Sequence, residues 1–142
     1  MFDDYAHAIV SVAAFALMVL VLAGLSGYRK GVAKLPAGGS PKEDYADPLY
    51  RTHRAYLNAS EALAVFAAVV AAAVLAGASP FLVNLIATIV VLVRIATAVV
   101  HIRGIGAENG GPRSILFGVA WIGMIALAVL AILAGLSGPG GA

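Results

Sequence analysis

Cysteine is absent from this sequence of 142 residues, and charged residues are scarce. Without cysteine the chain can form no disulfide, no thiolate metal site and no cysteine nucleophile, so any thiol chemistry must use the thiol of another molecule. Charged residues make up 11% of the chain, whereas a soluble domain has about 25%. Since 62% of the residues are hydrophobic, the composition excludes a disordered chain, a nucleic-acid-binding protein and a small secreted module. It predicts an integral membrane protein.

Three long stretches, 5–28, 62–93 and 114–142, contain no Asp, Glu, Lys or Arg. A membrane-spanning helix needs about 20 apolar residues, so the first and third stretches each fit one span. The middle stretch is too long for one span and too short for two. Within it, residues 77–80 read Gly-Ala-Ser-Pro, which is typical of a helix end capped by glycine, followed by a serine N-cap and a proline at the first helical position.

This hairpin predicts four spans. We therefore expect one domain over residues 1–142, an all-α integral membrane four-helix bundle. Asp47 and Pro48 are suited to the N-cap and first turn of the second helix, which would then begin before the lipid. The expected spans are 5–27, 54–76, 81–101 and 113–136, with loops at 28–53 and 102–112.

The basic residues are distributed unevenly around these spans. Six follow the first span and two lie between the third and fourth, whereas the N-terminus, the hairpin at 77–80 and the tail carry none. The positive-inside rule therefore places both basic loops in the cytoplasm and both termini outside. Helices rich in Ala, Val and Gly favour a bacterial plasma membrane, although an endoplasmic reticulum membrane would give the same topology. The basic loop residues are Arg29, Lys30, Lys34, Lys42, Arg51, Arg54, Arg103 and Arg113.

Polar residues at helical spacing enter the second and third spans. Arg51, Arg54, Asn58 and Glu61 follow one another at intervals of three, four and three, which places them within about 80° of the helix circumference. His53 and Tyr56 fall on other faces. On the third span, Arg94, Thr97 and His101 share one face in the same way. Charges inside membrane helices usually face a bundle interior or an aqueous cavity.

The polar residues of the second and third spans lie at similar depths in the membrane. At about 1.5 Å per residue, Glu61 and Arg94 lie at nearly the same level, so we expect them to be neighbours, within one chain or across a subunit boundary. Asn58, Arg54, Thr97 and His101 would form the wall of a polar pocket open to the cytoplasm. Arg113 and Ser114 begin the fourth span at the same interface, where a helix N-terminus favours an anion.

Several guanidinium groups with one carboxylate and one amide suit a multiply anionic, peptide-like ligand. An arginine at a helix N-terminus can also lower the pKa of a bound thiol. Glutathione fits this description.

Residues 51–61, which read R-T-H-R-A-Y-L-N-A-S-E, resemble the R-x-x-R-A-x-x-N-x-x-E signature of the MAPEG family, the membrane-associated proteins in eicosanoid and glutathione metabolism. A second block, Arg94 to His101 followed by Pro112-Arg113-Ser114, is similar to the end of helix three and the start of helix four in the same family. Length, number of spans and orientation agree, so the resemblance covers nearly the whole chain.

The resemblance implies a homotrimer that binds glutathione as its thiolate between neighbouring subunits, near the cytoplasmic face. The chemistry would be thiolate addition to a lipophilic electrophile, or peroxide reduction, with the acceptor arriving from the membrane lipid. Arg113 would stabilise the thiolate, with Ser114 as a hydroxyl donor. The residues that would hold glutathione are Arg29, Arg51, Arg54, Asn58, Glu61, Arg94 and His101.

Simpler interpretations stay open for several residues. Arg51 could simply extend its charge to the membrane interface. Glu61 and Arg94 could form a purely structural ion pair. Arg113 could serve only to fix the orientation of the chain in the membrane. The three histidines lie on separate segments without ligand spacing, so no metal site is expected. For the whole protein, the alternatives to an enzyme are a non-catalytic membrane scaffold and, less well matched, a small multidrug transporter, which would need a carboxylate in the first span.

Overall fold

The computed structural model describes residues 3–106 and 111–138, and the regular structure in these residues is helical throughout. A short 3₁₀ turn at Asp3–Tyr5 precedes four α-helices, each long and apolar enough to cross a membrane. The predicted all-α architecture, with four helices long and apolar enough to span a membrane, is therefore confirmed, whereas the orientation and the homotrimer stay predictions. The helices are α1 at Ala6–Val32, α2 at Pro48–Leu75, α3 at Pro80–Arg103 and α4 at Pro112–Ser137.

The start of α2 follows from local sequence. Pro48 is its first residue, and the Asp47 carboxylate accepts a hydrogen bond of 2.8 Å from the backbone N–H of Leu49, as expected for an N-cap. With 28 residues, α2 is about 42 Å long at 1.5 Å per residue, longer than the hydrocarbon core of about 30 Å. Its first turns, which carry the polar residues, can therefore lie outside the lipid.

A tight turn joins α2 to α3 where the sequence predicts it. Gly77 adopts a left-handed conformation with φ of +70°, and the N–H groups of Gly77 and Ala78 donate to the carbonyls of Val74 and Ala73. This is the glycine-dependent way of ending a helix. Ser79 occupies the N-cap position of α3, as predicted, although its side chain makes no capping hydrogen bond. We call this end of the bundle the hairpin end and the opposite end the loop end.

The helices α2 and α3 form the middle of the bundle. Both α1 and α4 pack against each of them. Phe15 of α1 and Phe66 of α2 meet in the buried core with ring centroids 5.5 Å apart. On the other side, α4 approaches α3 so closely that a Cβ added at Gly123 would lie 2.5 Å from Cγ2 of Val90. Small residues at such contacts allow helices to pack closely in lipid.

Hydrogen bonds fasten the start of α1 at the hairpin end. The Tyr5 hydroxyl donates to the carbonyl of Ala78. The Asn84 side chain accepts from the N–H of Ala8 at 2.9 Å and donates to the carbonyl of Asp4 at 2.7 Å. Asn84 therefore serves the N-terminus of α1, which explains a polar residue that falls outside the Arg94, Thr97 and His101 face.

Candidate functional site

A polar cavity of about 260 Å³ lies at the loop end, between α2, α3 and α4. It gathers side chains from three helices and from the loop before α2. We call it the loop-end cavity. Its lining residues are Tyr45, Arg54, Asn58, His101, Arg113, Ser114 and Phe117.

Helical spacing explains how these side chains reach one place. Arg54 and Asn58 are one turn apart on α2, and His101 lies in the last turn of α3. Arg113 and Ser114 belong to the first turn of α4, because Pro112 is its first residue. The structure thus brings together Arg54, Asn58 and His101 with the two α4 residues, all of which were predicted to share a pocket.

The cavity is positively charged. Two guanidinium groups, Arg54 and Arg113, line it, and no carboxylate is found among its described lining residues. Nδ1 of His101 is buried without a hydrogen-bond partner in the described chain, whereas buried polar atoms are usually paired. Arg113 is only 7% exposed, so its charge is poorly screened by water. An anionic ligand with hydrogen-bonding groups therefore fits this lining.

Arg94 lies beneath the cavity and not in its wall. Its side chain is 2% exposed, Nη2 donates to the carbonyl of Asn58, and Nη1 has no hydrogen-bond partner among the residues that the structure describes. The guanidinium carbon lies 5.7 Å from the ring centroid of Phe15 and 5.9 Å from that of Phe117. Arg94 therefore holds the α2 backbone at the level of Asn58, between two aromatic rings.

The predicted contact between Arg94 and Glu61 is not an ion pair within one chain. Glu61 is exposed on α2. It is near enough to act electrostatically on Arg94, but it makes no salt bridge in the part of the chain that the structure describes. The expectation therefore stays a prediction only for a contact between subunits. Thr97, expected in the pocket wall, is buried and donates instead to the carbonyl of Val93 at 2.8 Å.

Arg51 also lies outside the cavity lining. Its Nη1 donates to the carbonyls of Tyr45 and Ala46, at 2.7 and 2.8 Å, and its Nε donates to the carbonyl of Ile102 at 3.4 Å. These bonds join the loop before α2 to the end of α3. Within one chain Arg51 therefore connects two loop-end segments, and its predicted contact with glutathione stays a prediction.

Arg29 lies on a different side of the bundle. Its Nη1 donates to the hydroxyl of Thr52 and to the carbonyl of Pro48 at 3.3 Å, and it borders a separate groove between the end of α1 and the start of α2. Within one chain it does not reach the loop-end cavity. His53 also faces α1, where its Nδ1 lies 3.3 Å from the hydroxyl oxygen of Ser26, as its position off the polar stripe predicts.

Sequence reasoning missed two lining residues, Tyr45 and Phe117. Phe117 follows Arg113 by four residues and Ser114 by three, so helical spacing alone could have placed it on their face. Tyr45 lies in a loop without periodicity, and nothing in its spacing indicates the cavity. Within the described residues, no group of three or more His, Asp or Glu side chains could hold a metal ion.

Comparison with known proteins bears on this arrangement. A model of the MAPEG family matches residues 7–133, a region that holds most of all four helices and every predicted site residue. The chain belongs to the MAPEG family. No curated protein and no solved structure matches it. Membership confirms the expectation drawn from residues 51–61, and it identifies the chain as a membrane protein of this family.

Proposed function

We propose that this MAPEG protein is a membrane-bound glutathione-dependent transferase or peroxidase that acts on lipophilic electrophiles. The observation that carries the proposal is the loop-end cavity, where two arginines, an amide, two hydroxyls and an imidazole converge without a lining carboxylate among the described residues. Family membership supports the same reaction class. Since the chain has no cysteine, the thiol must come from the bound ligand.

Each lining residue has a role that suits its chemistry. Arg54 can bind a carboxylate of glutathione through two parallel N–H groups, and the Asn58 amide can pair with a peptide group. Arg113 is placed to hold the thiol sulfur as the thiolate, with the Ser114 hydroxyl as a second donor. His101, whose Nδ1 has no hydrogen-bond partner in the described part of the chain, supplies a further hydrogen-bonding atom.

The cationic side chains promote the reaction by favouring the ionised thiol. A thiolate is the nucleophilic form, and a nearby cation lowers the thiol pKa. Each unit of that shift corresponds to about 1.4 kcal/mol. When the thiol ionises, its proton passes to water. The thiolate sulfur then forms a bond to an electrophilic carbon, while the bond between that carbon and its leaving group breaks and the electron pair departs with the leaving group. Arg113 and Ser114 keep the sulfur in place for that attack.

The assembly belongs to the same proposal. We infer a homotrimer in a bacterial plasma membrane, with the cavity facing the cytoplasm and the acceptor entering from the lipid. Glu61 is exposed and Arg29 borders an outer groove, so both are available to a neighbouring chain. Native mass spectrometry in detergent measures the number of chains, and a monomer would contradict this part.

A bound thiolate provides the test of the activity. Purified protein is titrated with glutathione over a range of pH, and the ultraviolet absorbance of the thiolate gives the pKa of the bound thiol. We expect a pKa well below the ordinary thiol value of about 8.5. In Arg113→Ala the pKa should rise by about one unit or more, since the adjacent cation is lost.

Arg103→Ala is the matched control, because Arg103 is exposed at the end of α3 and does not line the cavity. It should leave the pKa of the bound thiol unchanged. If the unmutated protein binds glutathione without any thiolate signal, or does not bind it, the enzymatic proposal is wrong. The chain would then be better described as a membrane scaffold.

A further inference from the structure

The aromatic ring of Tyr45 covers Arg113. The guanidinium carbon of Arg113 lies 4.6 Å from the ring centroid of Tyr45, and both residues line the loop-end cavity. A cation at this distance above an aromatic face is attracted by the ring, and the planar guanidinium stacks well on such a surface. The aromatic ring of Tyr45 is therefore in direct contact with the guanidinium of Arg113.

The loop that carries Tyr45 is held in place by several bonds. Arg51 donates to the carbonyls of Tyr45 and Ala46 and joins them to the carbonyl of Ile102 on α3. The Asp44 carboxylate accepts from the N–H of Ala46 at 2.8 Å. These bonds hold the loop backbone at Tyr45 and Ala46.

A second tyrosine fixes the ring itself. Tyr50, in the first turn of α2, packs edge-on against Tyr45 with ring centroids 5.1 Å apart and an interplanar angle of 83°. Tyr50 is buried, so it provides a rigid support. The sequence of contacts therefore runs from the start of α2 through Tyr45 to Arg113 on α4.

We propose that Tyr45, clamped by Arg51, is the positioning residue that orients Arg113 toward the thiol sulfur and forms the wall of the loop-end cavity on the loop side. The inference rests on the proposed function, since it gives Tyr45 an effect on the thiolate. Tyr45 acts through Arg113 and does not itself react. The aromatic ring, not the hydroxyl, carries the effect, because the ring is the group that lies over the guanidinium.

The role of Arg51 follows from the same geometry. Within one chain, a residue predicted to hold glutathione holds the backbone that presents Tyr45. The effects of changing Arg51 and Tyr45 should therefore overlap, because both changes release the same ring from the same guanidinium. Residues that share one function in this way give non-additive effects in double variants.

The experiment measures the pKa of glutathione bound to the full-length protein, by thiolate absorbance as above. Tyr45→Leu should lower the acid dissociation constant of the bound thiol about three- to tenfold. Tyr45→Phe, which keeps the ring, should stay within about twofold of the unmutated protein. Arg51→Met should resemble Tyr45→Leu, and the double variant should be no worse than Tyr45→Leu alone. Tyr28→Leu is the control, since Tyr28 is an exposed tyrosine on α1 outside the cavity.

The outcomes separate this inference from the proposed function. If Tyr45→Phe raised the pKa of the bound thiol as much as Tyr45→Leu does, the inference would be overturned in favour of a role for the hydroxyl. An unchanged pKa in Tyr45→Leu would overturn it entirely while leaving the function intact. No thiolate signal in the unmutated protein would overturn both. If Tyr28→Leu raised the pKa of the bound thiol as Tyr45→Leu does, the loss of any loop-end tyrosine would have the same effect. The specific role of Tyr45 would then be rejected.

Discussion

Arg94 is a buried charge that lies close to the loop-end cavity without lining it. Its side chain is almost fully buried, yet among the described residues only Nη2 has a hydrogen-bond partner. Placing an arginine at the centre of a membrane helix costs about 2.5–3.5 kcal/mol on insertion scales. The carbonyl of Asn58 and two aromatic rings offset this cost only in part. We therefore expect the Arg94 guanidinium to lower the stability of the fold.

The cost of burying the incompletely paired Arg94 guanidinium leads to a prediction for Arg94→Met. Methionine fills similar space without a charge, so the unfolding temperature should stay the same or rise, because a buried charge with an unpaired group is removed. Glutathione affinity should fall about tenfold, equivalent to about 1.4 kcal/mol, since Asn58 and Phe117 lose the side chain that positions them.

Thermal unfolding in detergent and equilibrium binding of glutathione measure the two effects on the same sample. Arg103→Met, at an exposed position of the same helix, should change neither. A marked drop in unfolding temperature for Arg94→Met alone would indicate that Arg94 stabilises the fold.

Among the elements, α3 and α4 both carry residues that line the loop-end cavity, and they pack closely against each other. These helices carry His101 and Arg113 at the loop end, and at mid-bundle they are held closely together where Gly123 meets Val90. Without a hydrophobic driving force between helices in lipid, such close packing is a main source of helix association. We therefore expect the separation of His101 and Arg113 to depend on the close contact at Gly123.

Gly123→Ala should destabilise the bundle by about 1–3 kcal/mol, the usual range for overpacking a tight contact. The added Cβ would lie 2.5 Å from Val90 Cγ2, and the helices must separate to accommodate it. Thermal unfolding measures the effect. Gly118→Ala on the same helix is the control, because nothing lies within 4 Å of its added Cβ, and it should be neutral or slightly stabilising. Equal destabilisation by both changes would argue against a specific α3–α4 contact.

At the scale of the whole molecule, the two ends of the bundle differ in chemistry. The hairpin end is closed by Tyr5 and Asn84, whereas the loop end carries the basic residues and the polar cavity. Large apolar side chains on all four helices are exposed along the length between them, which suits contact with lipid or neighbouring chains.

The proposed orientation can be tested cleanly because the chain has no cysteine. Lys42 is exposed in the loop before α2, and Ser137 is exposed at the end of α4. The two test variants are Lys42→Cys and Ser137→Cys. In intact bacterial cells, a membrane-impermeant maleimide should label Ser137→Cys, and it should label Lys42→Cys only after the membrane is opened. The unmutated protein should remain unlabelled in both conditions. The reverse pattern would invert the orientation.

Much of the site follows from the order of the residues. Intervals of three and four place Arg54 and Asn58 on one face of α2, and Gly77 with Pro80 locates the turn between α2 and α3. These features are local, because helical periodicity and the conformational preferences of glycine and proline act over a few residues. Part of the predicted second loop, residues 107–110, lies outside the described residues.

Composition and periodicity by themselves determined the membrane class, the four helices and the residues that share a helix face. Only the tertiary structure decided which face meets which neighbour. In the folded chain, Arg94 donates to the Asn58 carbonyl and Arg51 donates to the Tyr45 carbonyl in the loop before α2. Glu61 is exposed, and the Tyr45 ring contacts the Arg113 guanidinium. Contacts between segments distant along the chain depend on helix packing and loop paths, and neither leaves a regular spacing in the sequence.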